Sequence, residues 1–160
     1  MKNLRLLILL GLALIAAVPA ALVAQTGSQG IVFGNWKLNV AKRDFGSGPR
    51  LMAMAVKVTS DTAELIQFAV NQASGNGFQA EYSYKGAADG KPYPIQGSAT
   101  VYSFTEEPGK VHETQRDPDG TLTTGDFTVN ARGRLGTWLY TITSPDGTVV
   151  KQKLIFDHTA

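Results

Sequence analysis

Phe78-Gln79-Ala80-Glu81-Tyr82-Ser83-Tyr84-Lys85 alternates apolar and polar side chains at every step. A strand repeats every two residues, so the pattern puts Phe78, Ala80, Tyr82 and Tyr84 on one buried face and hydrates the other. Both ends are marked by turn chemistry, Ser74-Gly75-Asn76-Gly77 before and Asp89-Gly90-Lys91-Pro92 after. Outward from there the same punctuation recurs about every ten residues, at Phe45-Gly46-Ser47-Gly48-Pro49, Glu107-Pro108-Gly109, Asp117-Pro118-Asp119-Gly120, Ala131-Arg132-Gly133 and Ser144-Pro145-Asp146-Gly147. Pro-Asp-Gly sets one residue near the proline φ beside another that tolerates positive φ, which is what a tight reversal requires. Trp138, Tyr140 and Ile142 alternate in the penultimate segment, and Val150, Leu154 and Phe156 in the last, where Gln152 breaks the inner row and Lys151 and Lys153 point away. These features predict an all-β fold: an antiparallel up-and-down meander of about eight or nine strands.

Three segments test that prediction. Asp61-Thr62-Ala63-Glu64 resembles a helix capping box, and Leu65, Ile66, Ala69, Val70 and Ala73 fall at helical spacing, so a helix over 61–74 is the rival. Against it, Ile66, Phe68 and Val70 alternate with Gln67 and Asn71, and a short turn feeds into the strand at Phe78, as in a hairpin. In 51–58, Met52, Met54, Val56 and Val58 share one face while Leu51, Ala53 and Ala55 are apolar on the other, predicting a strand covered on both sides. Lys110 to Arg116 is polar almost throughout and reads as an edge strand or as one facing a wet interior.

The N-terminus has a separate character. Met1 to Arg5 is short and basic, Leu6 to Val18 is apolar, and small residues at Ala20, Ala21 and Ala24 precede polar Gln25 to Gly30. This is a signal-peptide layout, with cleavage expected after Ala20 or Ala24; an uncleaved anchor is the competing reading. The expected organisation is therefore a signal peptide over 1–24, a polar linker over 25–30 and one domain over 31–157, in a periplasmic or secreted protein that meets a membrane only transiently. Of the 160 residues, roughly 136 then remain to fold around a single core. The chain has 15 Lys and Arg against 13 Asp and Glu, and since Lys2 and Arg5 belong to the signal, the rest is charge-neutral. A nucleic-acid partner, which wants a basic surplus on one face, is not expected. Cysteine is absent, which excludes disulfides and thiolate chemistry.

A family resemblance enters at Gly34-Asn35-Trp36-Lys37-Leu38-Asn39. Gly-x-Trp on the first strand resembles the signature of the calycins, the lipocalins and their relatives. With Ala41-Lys42-Arg43-Asp44-Phe45 and Asp89-Gly90-Lys91-Pro92-Tyr93-Pro94-Ile95-Gln96-Gly97, it is similar to small secreted bacterial lipocalin-like proteins of unassigned activity. What the resemblance implies is a meander closed into a lipocalin-like barrel around a small apolar ligand. In lipocalins an arginine near the last strand commonly covers the Trp; here that strand offers Lys151 and Lys153. Independently of the family, a Gly two residues before a Trp lets another group lie against the backbone, and the large ring is expected in the core, plugging one barrel end.

The sequence carries no constellation that commits to catalytic chemistry. His112 sits in the polar strand and His158 in a tail expected to be mobile, so a zinc site has no histidine pair at ligand spacing. No Gly-x-Ser-x-Gly elbow and no phosphate loop occur. Asp117-Pro118-Asp119-Gly120 fails as a calcium loop, because Leu122 stands where the sixth-position Gly belongs and Thr128 where the twelfth-position Glu belongs. Adjacent Glu106 and Glu107 face opposite ways on a strand and read as solvated turn residues. No enzyme, metal site or cofactor is expected. The aromatic set suggests instead an extracytoplasmic barrel binding a small apolar or amphipathic ligand, lined by Met52, Phe68, Tyr82, Tyr84, Trp138 and Tyr140. The alternative is a non-enzymatic structural or protein-interaction domain with a filled core.

Overall fold

The computed structural model describes residues 29–48 and 50–159, so the segment read as a signal peptide and most of the polar linker lie outside the described residues. Ten antiparallel strands follow one another: β1 (Gly34–Leu38), β2 (Leu51–Thr62), β3 (Leu65–Ser74), β4 (Gln79–Gly86), β5 (Tyr93–Pro94), β6 (Val101–Glu107), β7 (Lys110–Arg116), β8 (Leu122–Val129), β9 (Leu135–Thr143) and β10 (Val149–Thr159). Among the described residues there is no α-helix, and none long and apolar enough to cross a membrane. Sequential strands are neighbours, and β1 also pairs with β10, so one sheet runs in the order β4-β3-β2-β1-β10-β9-β8-β7-β6-β5. The result is an up-and-down barrel, nearly closed. Ten strands appear rather than eight or nine because Tyr93–Pro94, hidden in a proline-rich turn, adds a two-residue strand against Val101 and Tyr102.

The seam lies between β4 and β5. It is crossed by one main-chain bond, from the Gln96 amide to the Ser83 carbonyl at 3.1 Å, and by the Ser83 hydroxyl donating to Gln96 Oε1 at 3.1 Å. Rings fill the gap from inside: Phe68 stacks on Tyr84 with centroids 5.1 Å apart, and Tyr84 meets Phe104 edge-on at 5.0 Å. Aromatic packing thus does there what a hydrogen-bond ladder does elsewhere.

The alternation at 61–74 resolves as a strand. Asp61 and Thr62 end β2, Ala63-Glu64 forms the turn, and the Thr62 hydroxyl accepts from the Leu65 amide at 3.1 Å, so the side chain suited to a helix cap serves the hairpin instead. Two expectations are corrected. Strand β2 is covered on one side only: Met54 and Val58 are buried, while Ala53, Ala55 and Lys57 are exposed. Strand β7 is not an edge, since β6 and β8 flank it; of the two readings for it, the one facing a wet interior holds, with Glu113 and Gln115 turned inward and its other polar residues outward.

The base of the barrel is closed by the turn at 29–33 and by Trp36. The Trp36 indole, 3 % exposed, donates to the Val32 carbonyl at 2.7 Å. Its ring lies against His158, centroids 4.6 Å apart, and not against Lys151 or Lys153, which are exposed. His158 accordingly belongs to β10, paired with Trp36, rather than to a loose tail. Gly34 makes this possible. Its φ is +117°, and a Cβ there would stand 2.2 Å from His158 Nε2, so neither the backbone nor the imidazole leaves room for a side chain.

Candidate functional site

At the other end the barrel is open. Inward residues of β2 to β4 and β6 to β10 surround a cavity of 680 Å³ that opens beside Phe78, Ser98 and Thr121. Below it lies a smaller apolar chamber of 70 Å³ bounded by Trp36, Phe68, Phe127 and Phe156. Tyr82, Tyr102, Glu113 and Trp138 belong to both walls and form the waist between them.

The strand registers explain this arrangement. Inward positions repeat every second residue, so Val111, Glu113 and Gln115 of β7 face in while His112 and Thr114 face out. Glu113 is opposite Phe104 on β6 and Gly125 on β8, and Gly125 is opposite Tyr140 on β9. A Cβ at Gly125 would come within 2.7 Å of Trp138 Nε1 and 2.8 Å of Tyr140 Cβ. The missing side chain therefore lets the Trp138 and Tyr140 side chains lean across the wall beside the carboxyl. Trp138 Nε1 is buried there with no hydrogen-bond partner.

Glu113 is 7 % exposed, and among the described residues no donor or cation reaches its carboxyl. Burial alone pushes its pKa up to about 8. Tyrosines gather around it: the Tyr102 hydroxyl donates to that of Tyr82 at 3.4 Å, and burial pushes Tyr82 up to about 12, with the Glu113 charge adding to the rise. Tyr102 and Tyr140 are raised for the same two principal reasons, burial and neighbouring charge that includes Glu113. Nearer the mouth Asp117 accepts from the Thr100 hydroxyl at 2.7 Å and from Gln115 Nε2 at 2.9 Å. Gln152 is buried and donates to the Phe45 carbonyl at 3.1 Å, tying the β1–β2 loop to the wall.

Of the residues expected from sequence, Phe68, Tyr82 and Trp138 line the lower chamber, and Tyr82, Trp138 and Tyr140 line the upper cavity. Tyr84 lines neither; it is 1 % exposed and packed among Phe68, Tyr102 and Phe104 at the seam. Met52 is displaced outright. The β2–β3 register shifts between Leu51 and Ala53, and this irregularity turns Met52 out of the inner row to 55 % exposure. Glu113, the group with the most distinctive electrostatics, was not singled out. Its signal was the apolar Val111 two residues earlier, which fixes the inward parity of that polar strand.

Other constellations do less. His112 Nδ1 lies 2.8 Å from Asp126 Oδ1, but both side chains are nearly half exposed on the outer face. Among the described residues no three of His, Asp and Glu converge as metal ligands. Glu106 is not a free turn residue: its pKa is pushed up to about 7, by burial first and then by the Asp61 carboxyl beside it.

No protein-family model matches the chain, and no curated protein matches it either. Among solved structures it is similar to secretory abundant heat soluble protein 4 from Ramazzottius varieornatus, at 14% identity and a TM-score of 0.47, over 82% of this chain and 98% of that one. It is also similar to EF1p2_mFAP2b bound to DFHBI, at 7% identity and a TM-score of 0.45, over 81% of this chain and 94% of the other.

Proposed function

We propose that this protein is a non-enzymatic, extracytoplasmic barrel of the lipocalin-like kind that takes up one small amphipathic molecule through its open end. The observation that carries the reading is the 680 Å³ cavity, aromatic at its waist and polar toward its mouth. That volume falls within the roughly 300–1,000 Å³ of small-molecule sites. An apolar end suits the chamber above Trp36, and a polar end suits the level of Glu113 and Gln115. The open cavity weighs against a domain with a filled core. Periplasmic or secreted placement rests on the layout of Met1 to Ala24, and the resemblance of Gly34 to Gly97 to small secreted bacterial proteins agrees with it.

Protein purified from its own host is expected to show a retained small mass in native mass spectrometry. Its melting temperature should also rise across part of a panel of amphiphiles, since a ligand at 100 times its Kd adds about 2.7 kcal/mol. A clean unliganded mass together with an unmoved melting temperature across the panel overturns the reading.

A further inference from the structure

We infer that the ligand carries a cationic nitrogen, held against the Glu113 carboxyl within the ring of Trp138, Tyr82, Tyr102 and Tyr140; the inference rests on the carrier reading and names its ligand class.

Three observations lead there. First, the walls of both cavities contain no Lys, Arg or His, whereas Glu113 stands at the waist and Asp117 near the mouth. The space is electronegative with no counter-charge of its own. Second, Glu113 is more than nine-tenths buried, faces the cavity and lacks any partner among the described residues. Its oxygens are not sealed in the wall but open to the cavity, so whatever completes them comes from outside the chain. Third, the surroundings are π-faces, whose negative quadrupole attracts cations: the waist sets the Trp138 indole and two phenols beside one acid, and Tyr140 adds a third phenol from the upper cavity. A ligand carboxylate meets repulsion from Glu113 and finds no arginine or lysine. A neutral amphiphile leaves Glu113 protonated and unpaired. A cation supplies the missing charge, and Gly125, by having no side chain, lets the Trp138 and Tyr140 side chains stand against the wall next to the acid.

The titratable groups around Glu113 are Tyr82 and Tyr84 on β4, Tyr102 on β6, Tyr140 on β9 and Asp117 just after β7, with Glu81 of β4 on the same cavity wall. The tyrosines stay neutral below their raised pKa values, so the proton that a bound cation displaces between pH 6 and 9 comes from Glu113.

The test uses two probes of one shape, naphthylmethyl-trimethylammonium and the neutral hydrocarbon in which carbon replaces the nitrogen. A naphthylacetate serves as the anionic control. With purified protein at pH 9 the ammonium probe is expected to bind about tenfold or more tighter than its isostere, a difference of roughly 1.4 kcal/mol. That margin should shrink as the pH falls through about 8 toward 6. Glu113→Gln should erase both the margin and its pH dependence. If the hydrocarbon binds and the ammonium probe gains nothing at any pH, or if Glu113→Gln keeps the preference, the amine inference is overturned and the carrier reading stands. If naphthylacetate binds best, the inference fails in the same way. If none of the three binds, the amine inference falls, and the carrier reading falls with it only where the mass is also clean and the melting temperature unmoved across the panel. The wild-type comparison needs no variant, so a folding defect in Glu113→Gln does not shield the inference.

Discussion

Tyr84 shows how far a single side chain's alternation carries and where it stops. Its parity with Tyr82 places both inside, but parity gives no position along the barrel axis, and the axis separates wall from core. Tyr82 reaches the waist, whereas Tyr84 sits in the seam cluster with a hydroxyl that is buried and without a partner. Tyr84→Ala is therefore expected to lower unfolding free energy by roughly 3–5 kcal/mol, the range for deleting a packed aromatic ring. Tyr84→Phe removes only an unsatisfied polar group and should be neutral or stabilising by up to about 1 kcal/mol. Denaturant titration separates these outcomes, and a loss of less than about 1 kcal/mol in Tyr84→Ala would show that the ring is not core. Glu113 teaches the converse. Charged residues are read from sequence as surface, and this one is interior because Val111 and Gln115 share its parity. Met52 had the right parity too, and a local shift in strand register, which alternation does not encode, turned it outward.

At the scale of elements, hairpins were legible because Gly, Pro and Asp mark most of them, while the β2–β3 turn at Ala63-Glu64 has neither Gly nor Pro and imitates a helix start. That hairpin also does something the sequence did not suggest. Asp61, fully buried, accepts from the Val32 amide at 2.8 Å, and its carbonyl accepts from the Gly30 amide at 2.6 Å, so the end of β2 holds the basal turn in place. Glu106, at the end of β6, is the other carboxyl of this base. Since its pKa is raised on folding, the folded state holds that proton more tightly than the unfolded chain does. The resulting stabilisation is complete below about pH 4.5 and is lost as pH rises through about 7. Protection factors of the Gly30 and Val32 amides, corrected for intrinsic exchange, should consequently drop between pH 6 and 8. Glu106→Gln should flatten that profile. A profile equally steep in the variant would mean that the acid pair does not govern the plug.

For the whole molecule, closure between first and last strands was the legible part, and β1 pairs with β10 from Asn35 to Leu38 as a meander of this kind requires. The place of weakest closure was not legible, because Asp89-Gly90-Lys91-Pro92 reads like any other turn and in fact spans the seam. The Gln96-to-Ser83 bond is the only main-chain bond among the described residues joining the β4 side to the segment after β5, whereas β9 and β10 are paired continuously from Val149 to Asp157. A barrel that breathes must separate where the fewest bonds break, so amides of 79–86 and 93–98 should exchange first and those of 135–143 and 149–157 last. Ligand held at the waist touches Tyr82 on one side of the seam and Tyr102 on the other, two rings stacked 6.4 Å apart. Occupancy should therefore slow exchange at the seam more than at the β9–β10 ladder. Exchange measured with and without the naphthylmethyl-trimethylammonium probe reads both effects. If the β1–β10 junction opens before the seam, the line of weakness lies at the join of the termini and the β4–β5 seam is not where the barrel breathes.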